Sequence, residues 1–149
     1  MKKISKKEVL KICIEQQKEL IENYNQRIEE LKADAFKNNA SASQTEDRRS
    51  GKVDILNAME KELSFAQKEL TYLDEFDISA ENTEVSPGAI VITDQLNFFV
   101  GISTDKIEID GITIVGISTN APIYASMKNL HQNDSFKFHE TAYQIKDVY

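Results

Sequence analysis

Among the 149 residues there is one cysteine, Cys13, no tryptophan, two prolines and five glycines. A single thiol closes no intramolecular disulfide and builds no cysteine cage for zinc, so disulfide scaffolds and zinc ribbons are excluded and a reducing cytoplasmic setting is expected. So little glycine and proline excludes collagen-like and proline-rich disordered chains. No apolar run is long enough to span a bilayer, and Glu8, Lys11 and Glu15 break up anything that could follow the basic start Lys2-Lys3 as a signal h-region. Basic excess is missing as well. The 18 Lys and Arg stand against 25 Asp and Glu, a net charge of -7, which disfavours free nucleic acid or an anionic membrane as the main ligand.

What is present changes character along the chain. Up to Glu75 there are 14 basic and 15 acidic residues; beyond it there are 4 and 10, and seven of the twelve Phe and Tyr follow Val85. Two modules are expected: a helical one over 1–75, a linker over 76–84, and a strand-rich one over 85–149. In the first, Leu10, Ile14, Gln17, Ile21, Tyr24, Ile28, Leu31 and Ala35 recur at alternating steps of four and three. Leu56, Met59, Leu63, Ala66, Leu70 and Leu73 do the same. These are a/d heptad seams, the first with one polar member, Gln17, which would fix register at some cost in stability. Between them Asn38-Asn39-Ala40-Ser41-Ala42-Ser43-Gln44-Thr45 has no apolar stripe. The pattern predicts an antiparallel coiled-coil hairpin, with helices from Ser5 to about Lys37 and from about Glu46 to Asp74 and a tip at about 38–47. A parallel homodimer or longer bundle on the same seams is the alternative.

The second module predicts strands over 89–93, 97–100, 106–109, 112–117, 135–138 and 141–145, with turns at Ser86-Pro87-Gly88, Asp94-Gln95, Asp110-Gly111 and Asn133-Asp134. A short helix over about 122–130 starts at Pro122, where a first-turn proline is tolerated. The class is therefore α+β: a helical hairpin followed by a small antiparallel sheet with one short helix.

Chemistry-bearing motifs are sparse. His131 and His139 lack metal-ligand spacing, no serine stands in a nucleophile elbow, and Gly101, Gly111 and Gly116 do not form a phosphate loop. Cys13 reads as a half-buried packing residue whose weak route to reactivity would be Lys11. Lys2, Lys3, Lys6, Lys7 and Lys11 form a basic cluster that could touch phosphate or be a solvated helix end. At the tip, Asp34, Glu46 and Asp47 converge with Lys37, Arg48 and Arg49. Carboxylates held at a point suit a hard divalent cation, whereas acids balanced by as many bases suit a solvated loop.

Several short runs, in order, resemble the Gre-type transcript cleavage factors of bacterial RNA polymerase. They are Met59-Glu60-Lys61-Glu62-Leu63-Ser64-Phe65-Ala66-Gln67, Val85-Ser86-Pro87-Gly88-Ala89-Ile90-Val91, Phe98-Phe99-Val100-Gly101, Asn120-Ala121-Pro122-Ile123, Asn133-Asp134-Ser135-Phe136 and Tyr143-Gln144-Ile145. The resemblance implies an FKBP-like C-terminal domain that docks on RNA polymerase through the surface around Ala121, Pro122 and Ile123. It also implies a coiled coil inserted in the polymerase secondary channel, its tip carrying Asn38, Asn39, Arg48 and Arg49, and contact with nascent RNA only through the polymerase. Cleaving members hold an Mg²⁺ ion of the polymerase active site with an acidic pair at the tip. Counted back from Ser64-Phe65-Ala66-Gln67, those positions here are Ala35 and Asn38, neither a charged ligand. Ile102-Ser103-Thr104 likewise replaces the acids usual after the family's Val-Gly. The implied protein is a monomeric, non-catalytic elongation regulator, with no cofactor of its own and Mg²⁺ only if shared with the polymerase. The competing readings are an active cleavage factor using Asp34 with Glu46 or Asp47, and a coiled-coil adaptor or homodimer unconnected with transcription. Prolyl isomerase activity would follow from the fold alone, which does not transfer function.

Overall fold

The computed structural model describes residues 4–37 and 42–149, with the side chains of 35–50 outside that description. The element order is α1 (Lys6–Lys37), α2 (Ala42–Asp74), β1 (Ile90–Thr93), β2 (Asn97–Gly101), β3 (Lys106–Ile109), β4 (Ile112–Ser118), α3 (Pro122–Met127), β5 (Ser135–Phe138) and β6 (Thr141–Val148). Two long helices, a six-stranded mostly antiparallel sheet and a short helix make the α+β class expected from the two periods. Two compact units contain these elements: Glu15–Tyr72, and Met1–Ile14 together with Leu73–Tyr149.

The Glu15–Tyr72 unit is an antiparallel hairpin. Lys32 pairs with Glu60 at 3.7 Å, the Tyr24 hydroxyl lies 3.4 Å from a Glu62 carboxylate oxygen, and Gln17 donates to the Ala66 carbonyl at 2.9 Å. Positions that advance along α1 thus meet positions that retreat along α2. From Gln17 to Leu31 on α1 and from Leu56 to Leu70 on α2, every seam residue is buried or half-buried, while most positions between them are exposed. That is the burial a heptad repeat dictates. The polar seam member is satisfied rather than stranded. Gln17 Nε2 is shared between the Ala66 carbonyl and the Glu69 carboxylate, so sliding one helix past the other would bury an unpaired amide.

In the other unit the sheet order is β3-β4-β2-β1-β6-β5. Alternation in β1 and β2 sends Ile90, Ile92 and Phe99 to one face and Val91, Phe98 and Val100 to the other; the register Ile90↔Phe99 and Val91↔Phe98 keeps each pair on its own side. Both faces are covered, which is why these strands read as continuous apolar runs rather than alternating ones. Tyr124 and Met127 of α3 cover one face, beside the stacked rings of Phe136 and Tyr143, 4.8 Å apart. The second cover comes from the beginning of α1 and the end of α2: Ile4, Val9, Leu10, Cys13 and Leu73, with Phe76 edge-on to Phe99 at 5.9 Å. Leu10 and Leu73, which continue the heptad seams in sequence, therefore belong to the sheet core. Helix α1 is started by Ser5, whose hydroxyl accepts from the Glu8 amide at 3.4 Å in the Ser-x-x-Glu spacing of a capping box.

One pairing departs from the antiparallel expectation. Strand β2 runs parallel to β4, with Asn97↔Ile114 through Gly101↔Ser118, while β3 pairs antiparallel on the far edge of β4. The connection 102–105 must therefore cross β4. It crosses at Gly116, where the Thr104 hydroxyl accepts from the Gly116 amide at 2.9 Å and the Thr104 amide donates to the Gly116 carbonyl at 3.1 Å. A Cβ on Gly116 would lie 2.5 Å from the Ile102 carbonyl oxygen, so a side chain would block the crossing. In sequence Gly116 is only an isolated strand glycine.

Candidate functional site

The hairpin and the short helix carry the residues singled out in the sequence. Asp34 is exposed near the end of α1. It lines an open groove of about 270 Å³ with Arg27, Glu30 and Leu31 of the same helix and Met59 of α2. Steps of three and four from Arg27 through Glu30 and Leu31 to Asp34 put these side chains on one strip of helix. Leu31 and Met59, half-buried seam residues, form its apolar floor; Glu30 and Asp34 give it two carboxylates against one guanidinium. Glu46, Asp47, Arg48 and Arg49 lie in the first turns of α2 with their side chains outside the described residues, and Asn38 and Asn39 lie outside them altogether. The same holds for the Lys37 side chain. The convergence of tip acids and bases is thus described only at Asp34. Glu30, one turn before it, was missed; its spacing of four from Asp34 was the available signal. Among the described residues no group of three His, Cys, Asp or Glu side chains could hold a metal ion.

Ala121 caps α3 with extended backbone, and Pro122 occupies the first turn. Ala121 and Ile123 are half-buried against the core under α3, and Pro122 is exposed. The Tyr124 phenol beneath is pushed up from its ordinary range by burial, with the Glu84 charge adding to the shift. Glu84 also lies 3.9 Å from His131 Nε2, and Asp134 lies 3.7 Å from His131 Nδ1 while accepting from the His131 amide at 2.7 Å. His131 is exposed, and His139 is exposed with its ring 4.1 Å from that of Phe138.

Two sequence readings change. Cys13 is fully buried in the core between α1 and the sheet rather than half-buried, and burial pushes its thiol up to about 11, so no thiolate forms near neutral pH. Within the basic cluster, Lys6 is engaged: its ammonium donates to the Ala80 carbonyl at 3.1 Å and to Asn82 Oδ1 at 2.8 Å. Desolvation lowers its pKa, and the nearby Glu81 charge partly offsets that. Asn82 in turn donates to the Ser86 hydroxyl at 2.7 Å and the Pro87 carbonyl at 3.2 Å, so Lys6 fastens the segment that leads into β1 rather than facing a phosphate. Lys7 and Lys11 are exposed, and Lys2 and Lys3 lie outside the described residues.

These features define an α+β protein with a two-helix hairpin and a sheet buried on both faces, without a recognisable catalytic constellation among the described residues. No family model matches the chain, and no curated protein matches it. Among the solved structures that resemble it are two of one kind. One is GreA factor homolog 1 (Gfh1) of Thermus thermophilus, 11% identical, with 95% of this chain and 93% of that chain covered and a TM-score of 0.34. The other is Gfh1 of Thermus aquaticus, 13% identical, with coverage of 97% and 94% and a TM-score of 0.35. At such TM-scores the likeness supports no conclusion about function.

Proposed function

We propose that this protein is a Gre-like regulator of transcription elongation that binds RNA polymerase in the cytoplasm, inserts its helical hairpin into the secondary channel and does not itself cleave RNA. The observation that carries the reading is the architecture together with the order of family-like runs. A two-helix hairpin with a closed seam and arms of roughly 50 Å precedes an α+β unit, and the runs from Met59 to Ile145 fall on α2, β1, β2, α3, β5 and β6 in turn. A hairpin that buries little beyond its own seam suits entry into a cleft. Docking is assigned to the surface around Ala121, Pro122 and Ile123, of which Pro122 is the exposed member. The absence of cleavage rests on Ala35 and Asn38 at the positions where cleaving members carry acids. At the described end of α1, Glu30 and Asp34 share their strip with Arg27, a cation that opposes Mg²⁺ binding.

The test mixes the full chain with core RNA polymerase of its own host, measures binding, and follows cleavage of RNA in backtracked complexes with Mg²⁺ present. Binding without cleavage is expected. Cleavage that is lost in Asp34→Ala would replace the non-cleaving reading by the active one. No binding at micromolar concentrations would remove the polymerase reading and leave the coiled-coil adaptor, which the exposed Phe65 and Ile55 on α2 favour.

A further inference from the structure

Strand β3 pairs with β4 on one side and, among the described residues, has no neighbouring strand on the other. Which of its main-chain groups face that open edge follows from β4. The Thr113 carbonyl accepts from the Asn97 side chain of β2 at 3.2 Å, so Thr113 turns its backbone away from β3. Its antiparallel partner Glu108 therefore sits in a non-hydrogen-bonded pair and presents its own N–H and C=O to the free edge. By the two-residue period of a strand Lys106 does the same, while Ile107 and Ile109 bond inward to β4.

Those two outward residues carry opposite charges, and both side chains are exposed on the face away from the buried Ile107 and Ile109. They are the only charges on β3 or β4, with Asp105 and Asp110 flanking them, and neither is in an ion pair among the described residues. Charged side chains on a short edge strand ordinarily discourage pairing. Opposite charges two residues apart discourage every two-fold register but one. With a second copy, an axis at Lys106 sets lysine against lysine, and an axis at Glu108 sets glutamate against glutamate. An axis at Ile107 sets each Lys106 opposite Glu108 of the other copy, with Asp110 of that copy diagonal to the lysine. Unlike charges are then nearest neighbours, Lys106 faces Lys106 and Glu108 faces Glu108 only diagonally, and the flanking Asp105 meets Ile109. The same register matches outward N–H groups to outward C=O groups. The other open edge, β5, has no such match: the two-residue turn after Phe138 leaves Ser135 and Lys137 outward, and no two-fold register sets an acid against Lys137.

We propose that β3 is a self-association edge, at which two copies of this chain join antiparallel about Ile107, each Lys106 against Glu108 of the other copy, so that their sheets become one. Ile107 and Ile109 are already covered, so the contact buries little further apolar surface and the dimer is weak, with a dissociation constant on the order of 0.1–1 mM. The chain is then monomeric at the micromolar concentrations of the polymerase test, and the inference stands apart from that reading.

Sedimentation equilibrium of the full chain up to about 1 mM measures the association. Amide exchange reads the edge itself: protection of the Lys106 and Glu108 N–H groups is expected to grow with concentration, while that of Ile107, bonded to β4, stays constant. Lys106→Glu and Glu108→Lys are each expected to weaken association about tenfold, because each sets like charges together. An equal mixture of the two variants regains it, and so does the double swap Lys106→Glu/Glu108→Lys. Lys137→Glu, on the other edge, leaves it unchanged. Circular dichroism of each variant checks that the sheet is intact. A wild type that stays monomeric throughout, association that survives both single variants, or single variants that stay apart when mixed overturns the proposal. So does a dimer that Phe65→Ser dissociates, because the contact then lies on α2.

Discussion

The phenol of Tyr149 donates a 3.0 Å hydrogen bond to the carbonyl of Ile4, 145 positions earlier in the chain, and both groups are buried. Tyr149 also exchanges backbone hydrogen bonds with Ile90, at 2.7 and 3.0 Å. The segment before α1 is thereby tied to β1 through one residue, on the sheet face that Val9, Leu10, Cys13 and Leu73 cover. Burial pushes the Tyr149 phenol up despite its bond to Ile4, so it stays protonated and donating at physiological pH.

Tyr149→Phe keeps the ring and strands the Ile4 carbonyl. A loss of about 1 kcal/mol is expected in urea unfolding. A larger consequence concerns the sheet unit as a fragment. Residues 85–149 alone lack Val9, Leu10, Cys13 and Leu73, each worth about 1.5–3 kcal/mol on burial, against a total stability of roughly 5 kcal/mol for so small a domain. The fragment is expected to show collapsed amide dispersion by NMR; a well-dispersed spectrum would mean that α3 suffices to hold the sheet.

Gly116→Ala tests the crossing of β4. The added methyl meets a backbone carbonyl, which yields less readily than the far end of a side chain, so a cost of about 1–3 kcal/mol is expected. The parallel β2 and β4 pairing is the first register to suffer, visible as loss of amide protection from Phe98 to Gly101. A change of a few tenths of a kcal/mol would mean that 102–105 is not held against β4 in solution.

How much of this was legible follows from which residues speak for themselves. The seams from Gln17 to Leu31 and from Leu56 to Leu70 did, because a three-four repeat has one stable burial. Asp110-Gly111 did as well, since two residues at positive φ between β3 and β4 are what a two-residue hairpin turn demands. The role of Gly116 did not, because a crossing is a relation between β2, β3 and β4 that no local pattern records. Nor did the full burial of Cys13: Val9, Leu10 and Cys13 read as helix, and only the packed sheet shows what their helix covers. The tip acids Glu46 and Asp47 stay a matter of sequence alone.

Glu69 makes the stability of the hairpin depend on pH. Its pKa is raised chiefly by desolvation, with the Gln17 amide pulling the other way. A carboxyl whose folded pKa lies above its unfolded value stabilises the fold when protonated, and that contribution is lost as pH rises through the folded pKa. Near neutral pH the ionised Glu69 is therefore a burden on the hairpin. Glu69→Gln, which keeps an acceptor for Gln17, is expected to raise the Tm at pH 7 and to lose that advantage once the pH falls below the ordinary carboxylate range. Thermal melts by circular dichroism across that window check it; an advantage that persists in acid would show that charge is not its source.

The turn between β5 and β6 consists of His139 and Glu140, at φ of 50° and 55°, where Asn-Gly is the favoured pair. Non-glycine residues in this left-handed region cost roughly 1–2 kcal/mol each, and the contact between the His139 and Phe138 rings recovers part of that. Replacing both, His139→Asn with Glu140→Gly, relieves the backbone and removes the ring contact. A net gain of about 1 kcal/mol is expected in chemical denaturation, with the Phe138↔Thr141 register unchanged. A net loss would show that the aromatic contact, rather than the backbone, sets the stability of this hairpin, and the single variant Phe138→Leu would then weaken the wild type by as much.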